Sequence, residues 1–322
     1  MFERIAEGFL QQDKLSLAKA ISFVERNPDK AYELITVLSQ KTNRNLLDEK
    51  THIIGITGPP GVGKSTILSQ IIQRTNCGVI LCDPSSQEGG AILGDRIRMG
   101  GVQSKEKVFI RSLGTRGELG GISLNTGDII NLYILFGMEK IIVETVGVGQ
   151  IETEIYKIAD TVILVVSPES GDEIQFMKSG IYEVADIIVI NKADRPAADK
   201  IYNEIKTAVN LAKTVLSNLS KKQEWDIPIL KVVAKTGEGI DEMMNYAEKH
   251  KDFLKSKGIL TERRKKRLER DFISAIARDL INKIKSSKIY DEKLKEMLDG
   301  KKDPYSAARS IVQKLTESIN QI

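Results

Sequence analysis

Residues 52–57, His-Ile-Ile-Gly-Ile-Thr, run directly into Gly58-Pro59-Pro60-Gly61-Val62-Gly63-Lys64-Ser65, and a helical pattern begins at Thr66 with TILSQIIQ. A strand, a glycine-rich loop matching GxxxxGK[ST] and a helix, in that order, leave few folds open. The glycines let the backbone curl around an anion with its N–H groups turned inward, and the following helix adds its positive end. Lys64 is then placed to reach the β and γ phosphates, and the Ser65 hydroxyl is a hard oxygen ligand suited to Mg2+. The segment from Gly58 through Thr66 therefore reads as the phosphate-binding part of a nucleoside triphosphate site.

The texture around this loop is that of a doubly wound α/β domain. Short β-rich runs recur at 79–82 (VILC), 108–111 (VFIR), 141–144 (IIVE), 161–166 (TVILVV), 187–190 (IIVI) and 227–233 (IPILKVV), separated by helical stretches. Such runs, apolar on both faces, suit strands of a mostly parallel sheet covered by helices on each side. Residues 1–50 show helical spacing broken at Asn27-Pro28, and the β signal ends near Ala247. The expected organisation is an N-terminal helical extension at 1–50, an α/β domain at 51–248 and a C-terminal helical arm at 249–322.

Composition narrows the class further. Hydrophobic residues at 41% and charged residues at 29% exclude a collagenous or wholly disordered chain. No run of apolar residues is long enough to span a bilayer, and the first residues, MFERIAEGFLQQDK, lack the pattern of a signal peptide, so a cytoplasmic protein without a membrane partner is expected. Two cysteines, Cys77 and Cys82, and two histidines, His52 and His250, support neither a disulfide framework nor a conventional zinc site. Residues 255–270 hold eight basic side chains against Glu262 and Glu269. Leu268, Phe272, Ile276 and Leu280 recur every four residues through this region, which predicts an amphipathic helix with its charges on the solvent side. The cluster has no interleaved aromatics of the kind that stack bases, and no nucleic-acid partner is expected.

The base and the metal are read further along. The IIVI run ends in Asn191-Lys192-Ala193-Asp194, placing NKxD where the carboxyl ends of parallel strands meet a ligand. Asp194 can accept hydrogen bonds from the N1–H and 2-amino donors of guanine, a pair that adenine lacks. Asn191 and the Lys192 stem brace the loop and cover the purine, and Ala234-Lys235-Thr236, after IPILKVV, is the natural partner loop for the guanine carbonyl. Glu144 stands at a strand end before Thr145-Val146-Gly147, where a carboxylate can hold a magnesium-bound water and the glycine frees the backbone to swing toward a γ-phosphate. Asp83 ends another strand, and Asp95 lies in the glycine-punctuated GGAILGDRIRMGG; both are candidates for the metal shell. Catalysis is expected to rest on Lys64, Glu144 and Asp95, with GTP and GDP as ligands and Mg2+ as cofactor. Gln150 reads as helix-start packing rather than as the residue that orients water.

The runs GPPGVGKST, DPSS with GGAILGDRIRM, ETVGVGQIE, SGDEIQFMKSGIYEVADIIVINKAD and TGEGI, taken in order, resemble the MeaB/MMAA (formerly ArgK) family of GTPases. Glu144 in ETVG is the more discriminating feature, because most regulatory GTPases carry Asp there. The resemblance implies a P-loop GTPase fold flanked by helical extensions, and a homodimer formed through the C-terminal arm. It also implies partnership with an adenosylcobalamin-dependent acyl-CoA mutase, typically methylmalonyl-CoA mutase, whose cofactor loading or exchange is gated by GTP. By the same resemblance Asp172, Glu173, Gln175 and Lys178 belong to a switch that communicates with the mutase. The pattern departs at Arg111–Gly117 and resumes at Glu118-Leu119-Gly120-Gly121. Two alternatives share the fold: a nickel-insertion accessory GTPase, and a P-loop kinase or ATPase linked to amino-acid transport. The first requires Cys or His ligands, and buried thiols are the better reading of Cys77 and Cys82.

Overall fold

Each β-rich run becomes a strand in the computed structural model, which describes residues 1–83, 108–114, 125–145, 155–168, 185–217 and 225–319. The strands are β1 (His52–Thr57), β2 (Cys77–Asp83), β3 (Val108–Gly114), β4 (Lys140–Thr145), β5 (Thr161–Val166), β6 (Ile187–Asn191) and β7 (Ile229–Val232). They form one seven-stranded sheet in the order β3-β2-β4-β1-β5-β6-β7, with every neighbouring pair parallel. β1 is central, so its carboxyl end opens where the chain order reverses, the position at which such sheets bind ligands.

Both faces of the sheet are covered, as the uninterrupted apolar runs require. Ile53 of β1 points into one hydrophobic cluster and Ile54 and Ile56 into the other, following the two-residue period of a strand. Helices α1 (Phe2–Leu10), α2 (Lys14–Arg26) and α3 (Ala31–Thr42) pack with α5 (Asn125–Phe136) on the first face. The Phe9 and Phe136 rings meet edge to face at 5.2 Å, so the N-terminal helices share the sheet's own core. The opposite face carries α4 (Lys64–Arg74) and α7 (Ile240–Ser256), and α6 (Ala198–Ser217) covers β5 and β6.

The amino end of the sheet is fastened by buried charge. Asp160 and Asp186 each stand immediately before or near a strand start and accept a backbone N–H from the neighbouring strand: Ile53 N to Asp160 at 2.9 Å, and Val162 N to Asp186 at 2.8 Å. Helix α8 (Ile259–Lys285) answers them. Arg264, 2% exposed, donates to Asp160 at 2.9 Å and to the Thr51 and Asp48 carbonyls, Arg263 reaches Asp186 at 3.3 Å, and Arg267 donates to the Leu46 carbonyl. The expected solvated face holds for Lys255, Lys257, Lys265 and Lys266, which are exposed, and fails for Arg264 and Arg267, which are buried, while Phe272, Ile276 and Leu280 are exposed. Arg267 shares a side of the helix with Arg263 at i,i+4 and with Arg264 at i,i+3, and guanidiniums with five donors satisfy the carboxylates and carbonyls at the sheet's edge better than apolar side chains could.

Both histidines belong to the same network. The Thr161 hydroxyl lies 2.8 Å from His52 Nε2 and 2.9 Å from His250 Nδ1, and His250 Nε2 lies 3.2 Å from Asp186. Burial pulls the His52 pKa below its ordinary 6.5, with Glu248 opposing the shift. Burial alone would raise the Asp186 carboxyl, but the hydrogen bond and charge of His250, with Arg263, hold it below 3.8. In both cases the unfolded chain binds more protons than the folded one, so stability is complete above the unfolded pKa and is lost as pH falls. Thermal unfolding followed by circular dichroism is expected to show a level midpoint between about pH 7 and 8.5, a decline below about pH 6.5 and a second below about pH 4. His52→Gln, which keeps a neutral donor toward Thr161, should flatten the first decline; an unchanged slope would show that His52 does not govern it.

The described residues divide into two compact units, Met1–Leu268 and Glu269–Ile322. The second consists of the rest of α8 with α9 (Lys288–Leu298) and α10 (Pro304–Ile319). Gly300, at φ 69°, follows α9 and Pro304 opens α10, while the break at Ser286-Ser287 carries no glycine or proline signal.

Candidate nucleotide site

Four strand ends at the carboxyl edge of the sheet bring the sequence-identified residues together. The loop after β1 turns on glycines that no other residue replaces. A Cβ on Gly58, at φ 140°, would lie 2.0 Å from the Val165 carbonyl oxygen, and one on Gly63, at φ 96°, would lie 2.3 Å from Asn191 Nδ2. Gly63 then caps α4, whose first turn is Lys64-Ser65-Thr66. The Lys64 side chain is buried and folds back over the loop, donating to the Gly58 carbonyl at 2.6 Å and the Pro59 carbonyl at 2.8 Å. Its ammonium is thus held within the concavity formed by Gly58–Gly63. Pro60, Gly61 and Thr66 are exposed, while Val62 is buried in the core beneath the loop.

Ser65 and Glu144 meet across β1 and β4. The Ser65 hydroxyl donates to Glu144 Oε1 at 2.7 Å, and Glu144 is 8% exposed. Register pairs Glu144 with Ile56, which puts the carboxylate beside the start of the phosphate loop. Behind it, the Thr145 and Thr57 hydroxyls are 3.0 Å apart. A hydroxyl and a carboxylate oxygen brought to this distance beside an anion loop form a hard-oxygen donor pair, and that chemistry fits Mg2+.

The NKxD segment contributes a clamp in which Asn191 braces more than its own loop. Asn191, 2% exposed at the end of β6, donates through Nδ2 to the Val62 carbonyl at 2.8 Å and accepts through Oδ1 from Ala234 N at 3.0 Å. One side chain thereby ties the phosphate loop, the NKxD loop and the 234–236 loop to each other. Lys192 follows at φ 58°, a left-handed conformation rare for a lysine, and the turn lets Ala193 N donate to the Val232 carbonyl at 3.1 Å. Asp194, Lys235 and Thr236 are exposed at this edge, and Ala234 is buried. The turn beyond is held by α4: Arg74 bonds Asp241 at 3.1 Å across Gly237, where a Cβ would meet the Arg74 guanidinium at 2.4 Å.

Asp83 closes β2 at the same edge of the sheet. Asp95, Gln150, Gly147, Asp172, Glu173, Gln175 and Lys178 lie outside the described residues. The potential soft-metal ligands are committed elsewhere. Cys77 and Cys82 are buried in β2, where desolvation pushes both thiols up to about 12, and both histidines sit in the network at the opposite end of the sheet. Two buried thiols without a histidine beside them among the described residues do not make the ligand set that the nickel-insertion alternative requires.

Comparison with known proteins agrees with this geometry. The family model described as methylmalonyl Co-A mutase-associated GTPase MeaB matches residues 17–289. A Pyrococcus horikoshii protein named as a GTPase is 41% identical over 322 residues, covering 98% of this chain and 97% of the relative. The mitochondrial methylmalonic aciduria type A homolog of Mus musculus is 33% identical over 279 residues, covering 81% of this chain and 66% of that one. GTPase ArgK of Escherichia coli is 32% identical over 322 residues, covering 96% and 94%. The crystal structure of a LAO/AO transport system kinase superposes with a TM-score of 0.61 at 25% identity, covering 98% of this chain and 97% of that one.

Proposed function

Since the chain belongs to the MeaB family of P-loop GTPases, we propose that its GTP hydrolysis gates the loading or exchange of adenosylcobalamin on a methylmalonyl-CoA mutase-type enzyme and protects that enzyme. The observation that carries this reading is the family match over residues 17–289, whose description names the mutase. The mouse relative, named for methylmalonic aciduria, supports it. In this reading the protein acts in the cytoplasm, and among the described residues no helix is long and apolar enough to cross a membrane.

Phosphoryl transfer to water asks a protein for charge neutralisation and alignment and for little covalent chemistry. Lys64 and the Gly58–Thr66 amides neutralise charge growing at the β–γ bridge. Ser65 and Glu144 hold Mg2+, joined by Asp83 and Asp95; the ion supplies further neutralisation of the phosphate oxygens. Asp194 reads the guanine edge, Lys192 covers the ring, and Asn191 keeps both loops in register with Ala234, Lys235 and Thr236. Asp172, Glu173, Gln175 and Lys178 form the segment through which the mutase acts on the site.

The arm at 269–322 is read as the contact between two copies of the chain. Phe272, Ile273, Ile276, Leu280 and Ile281 are between 39% and 65% exposed and recur at helical spacing. Burying what each still exposes would contribute about 1 kcal/mol, roughly half the value for a fully exposed side chain. Phe272→Asp with Ile276→Asp is expected to convert a dimer into a monomer in sedimentation velocity; an unchanged sedimentation coefficient would place the interface elsewhere.

The function is tested by measuring phosphate release from GTP with and without an adenosylcobalamin-dependent methylmalonyl-CoA mutase from the same source. A stimulation of roughly tenfold or more is expected, together with GTP-dependent delivery of adenosylcobalamin to the apo-mutase. Equal turnover and GTP-independent delivery would refute the proposal.

A further inference from the structure

Away from the nucleotide edge, a cavity of about 760 Å³ opens along α1 and α2 and shares no residue with the site described above. Lys19, Ser22, Phe23 and Arg26 line it from α2 at spacings i, i+3, i+4 and i+7, which put them on one face of the helix. Arg4 and Ile5 line it from α1. Three cations thus surround one hollow, and no acidic side chain is among the described residues that line it.

Of the acids nearby, Glu7 is exposed and does not line the hollow, and the others are engaged elsewhere. Glu3 pairs with Lys41 at 3.1 Å, and Glu25 is held by Arg111 of β3. Asp13 caps α2, accepting from Leu15 N, Ser16 N and the Ser16 hydroxyl. Arg4, Lys19 and Arg26 themselves enter no ion pair among the described residues. Asp13 offsets part of the Lys19 charge from outside the lining, and the like charges that remain gathered around the concavity raise its potential and favour occupation by an anion. The floor differs in character: Ile5 is buried and Phe23 half-buried.

We propose that this hollow binds a small phosphorylated molecule, its multiply charged end held by Arg4, Lys19 and Arg26 and its apolar part resting on Phe23 and Ile5. Two guanidiniums and an ammonium suit phosphate, because the planar forks give paired hydrogen bonds and the ammonium adds a compact charge. The volume falls within the range of small-ligand pockets. The site lies wholly in Met1–Leu268, and its argument is independent of the mutase.

The test is calorimetric titration of the full chain, first saturated with GDP so that the phosphate loop is filled, using inorganic pyrophosphate as the probe. One additional binding event per chain is expected. Lys19→Gln and Arg26→Gln should each weaken it about tenfold, the loss anticipated for one charge-assisted hydrogen bond, while GTP hydrolysis stays unchanged. Glutamine keeps the helix propensity of both positions, and circular dichroism checks that the helices persist. The proposal is overturned by absence of heat from the GDP-saturated chain, by unaltered affinity in the folded Arg4→Gln/Lys19→Gln/Arg26→Gln variant, or by citrate binding as tightly as pyrophosphate.

Discussion

Replacing Lys64 with alanine is expected to lower kcat/KM for GTP by about 10²–10³-fold or more, with the fold preserved. The ammonium is the cation that the sequence and the structure both put inside the phosphate loop, within 2.6 Å and 2.8 Å of two of its carbonyls. Those carbonyls are ready to hand the lysine over to a polyanion, which offers it a full opposite charge in place of two dipoles. Loss of the side chain leaves the loop with amide donors alone, and charge growing on the bridging oxygen goes partly uncompensated. The helix itself is secured from below by Ile67, Leu68, Ile71 and Ile72, all buried, so alanine at its first turn should not unfold it. Phosphate release under single-turnover conditions, beside a binding curve for a fluorescent GDP, separates chemistry from affinity. Hydrolysis within a few fold of the parent would remove Lys64 from the catalytic assignment.

Changing Asp194 to asparagine is expected to weaken GTP by roughly 10²-fold or more and to raise affinity for xanthosine triphosphate. A carboxylate accepts from both donors on the guanine edge. An asparagine amide places a donor against one of them, and a buried polar clash of that kind costs more than the hydrogen bond it replaces. Xanthine carries a carbonyl where guanine has the amino group, so the new amide finds an acceptor. The substitution reaches little of the scaffold: Asp194 is exposed, and the turn is held by Asn191 and by the Ala193–Val232 bond. Competition of both nucleotides against a fluorescent guanine nucleotide reads the exchange directly. Retention of GTP affinity without gain for the xanthine nucleotide would show that another group reads the base.

Much of the site is legible from local pattern because each of its parts is a strand end followed by a short, chemically specific turn. Gly58–Ser65, Glu144 and Asn191–Asp194 all follow or end runs whose unbroken apolar content and short length mark a strand. The clamp made by Asn191 is less visible. Its residue type is in the motif, but its two bonds join Val62 and Ala234, which are remote from it in sequence. The fastening of the sheet's other end had a faint signal, since Ala-Asp precedes a strand at 159–160 and again at 185–186. Nothing local says that those carboxylates will face Arg263 and Arg264, 77 and 104 residues away. The basic stretch misled for the same reason: helical periodicity shows which residues share a side, and hydrophobicity alone then selects the wrong side as the inner one.

The amino-acid sequence alone determined the parallel α/β architecture, the phosphate loop and the triphosphate ligand, because short apolar runs, glycine freedom and a lysine-serine pair are properties of adjacent residues. Only the tertiary structure decided that Ser65 reaches Glu144, that Asn191 binds three loops together, and that Arg264 and Arg267 turn inward beside Leu260 at the start of α8. Those outcomes depend on which buried donors find acceptors once distant strands are aligned, and pairing energy of that kind belongs to the assembled sheet rather than to any stretch of chain.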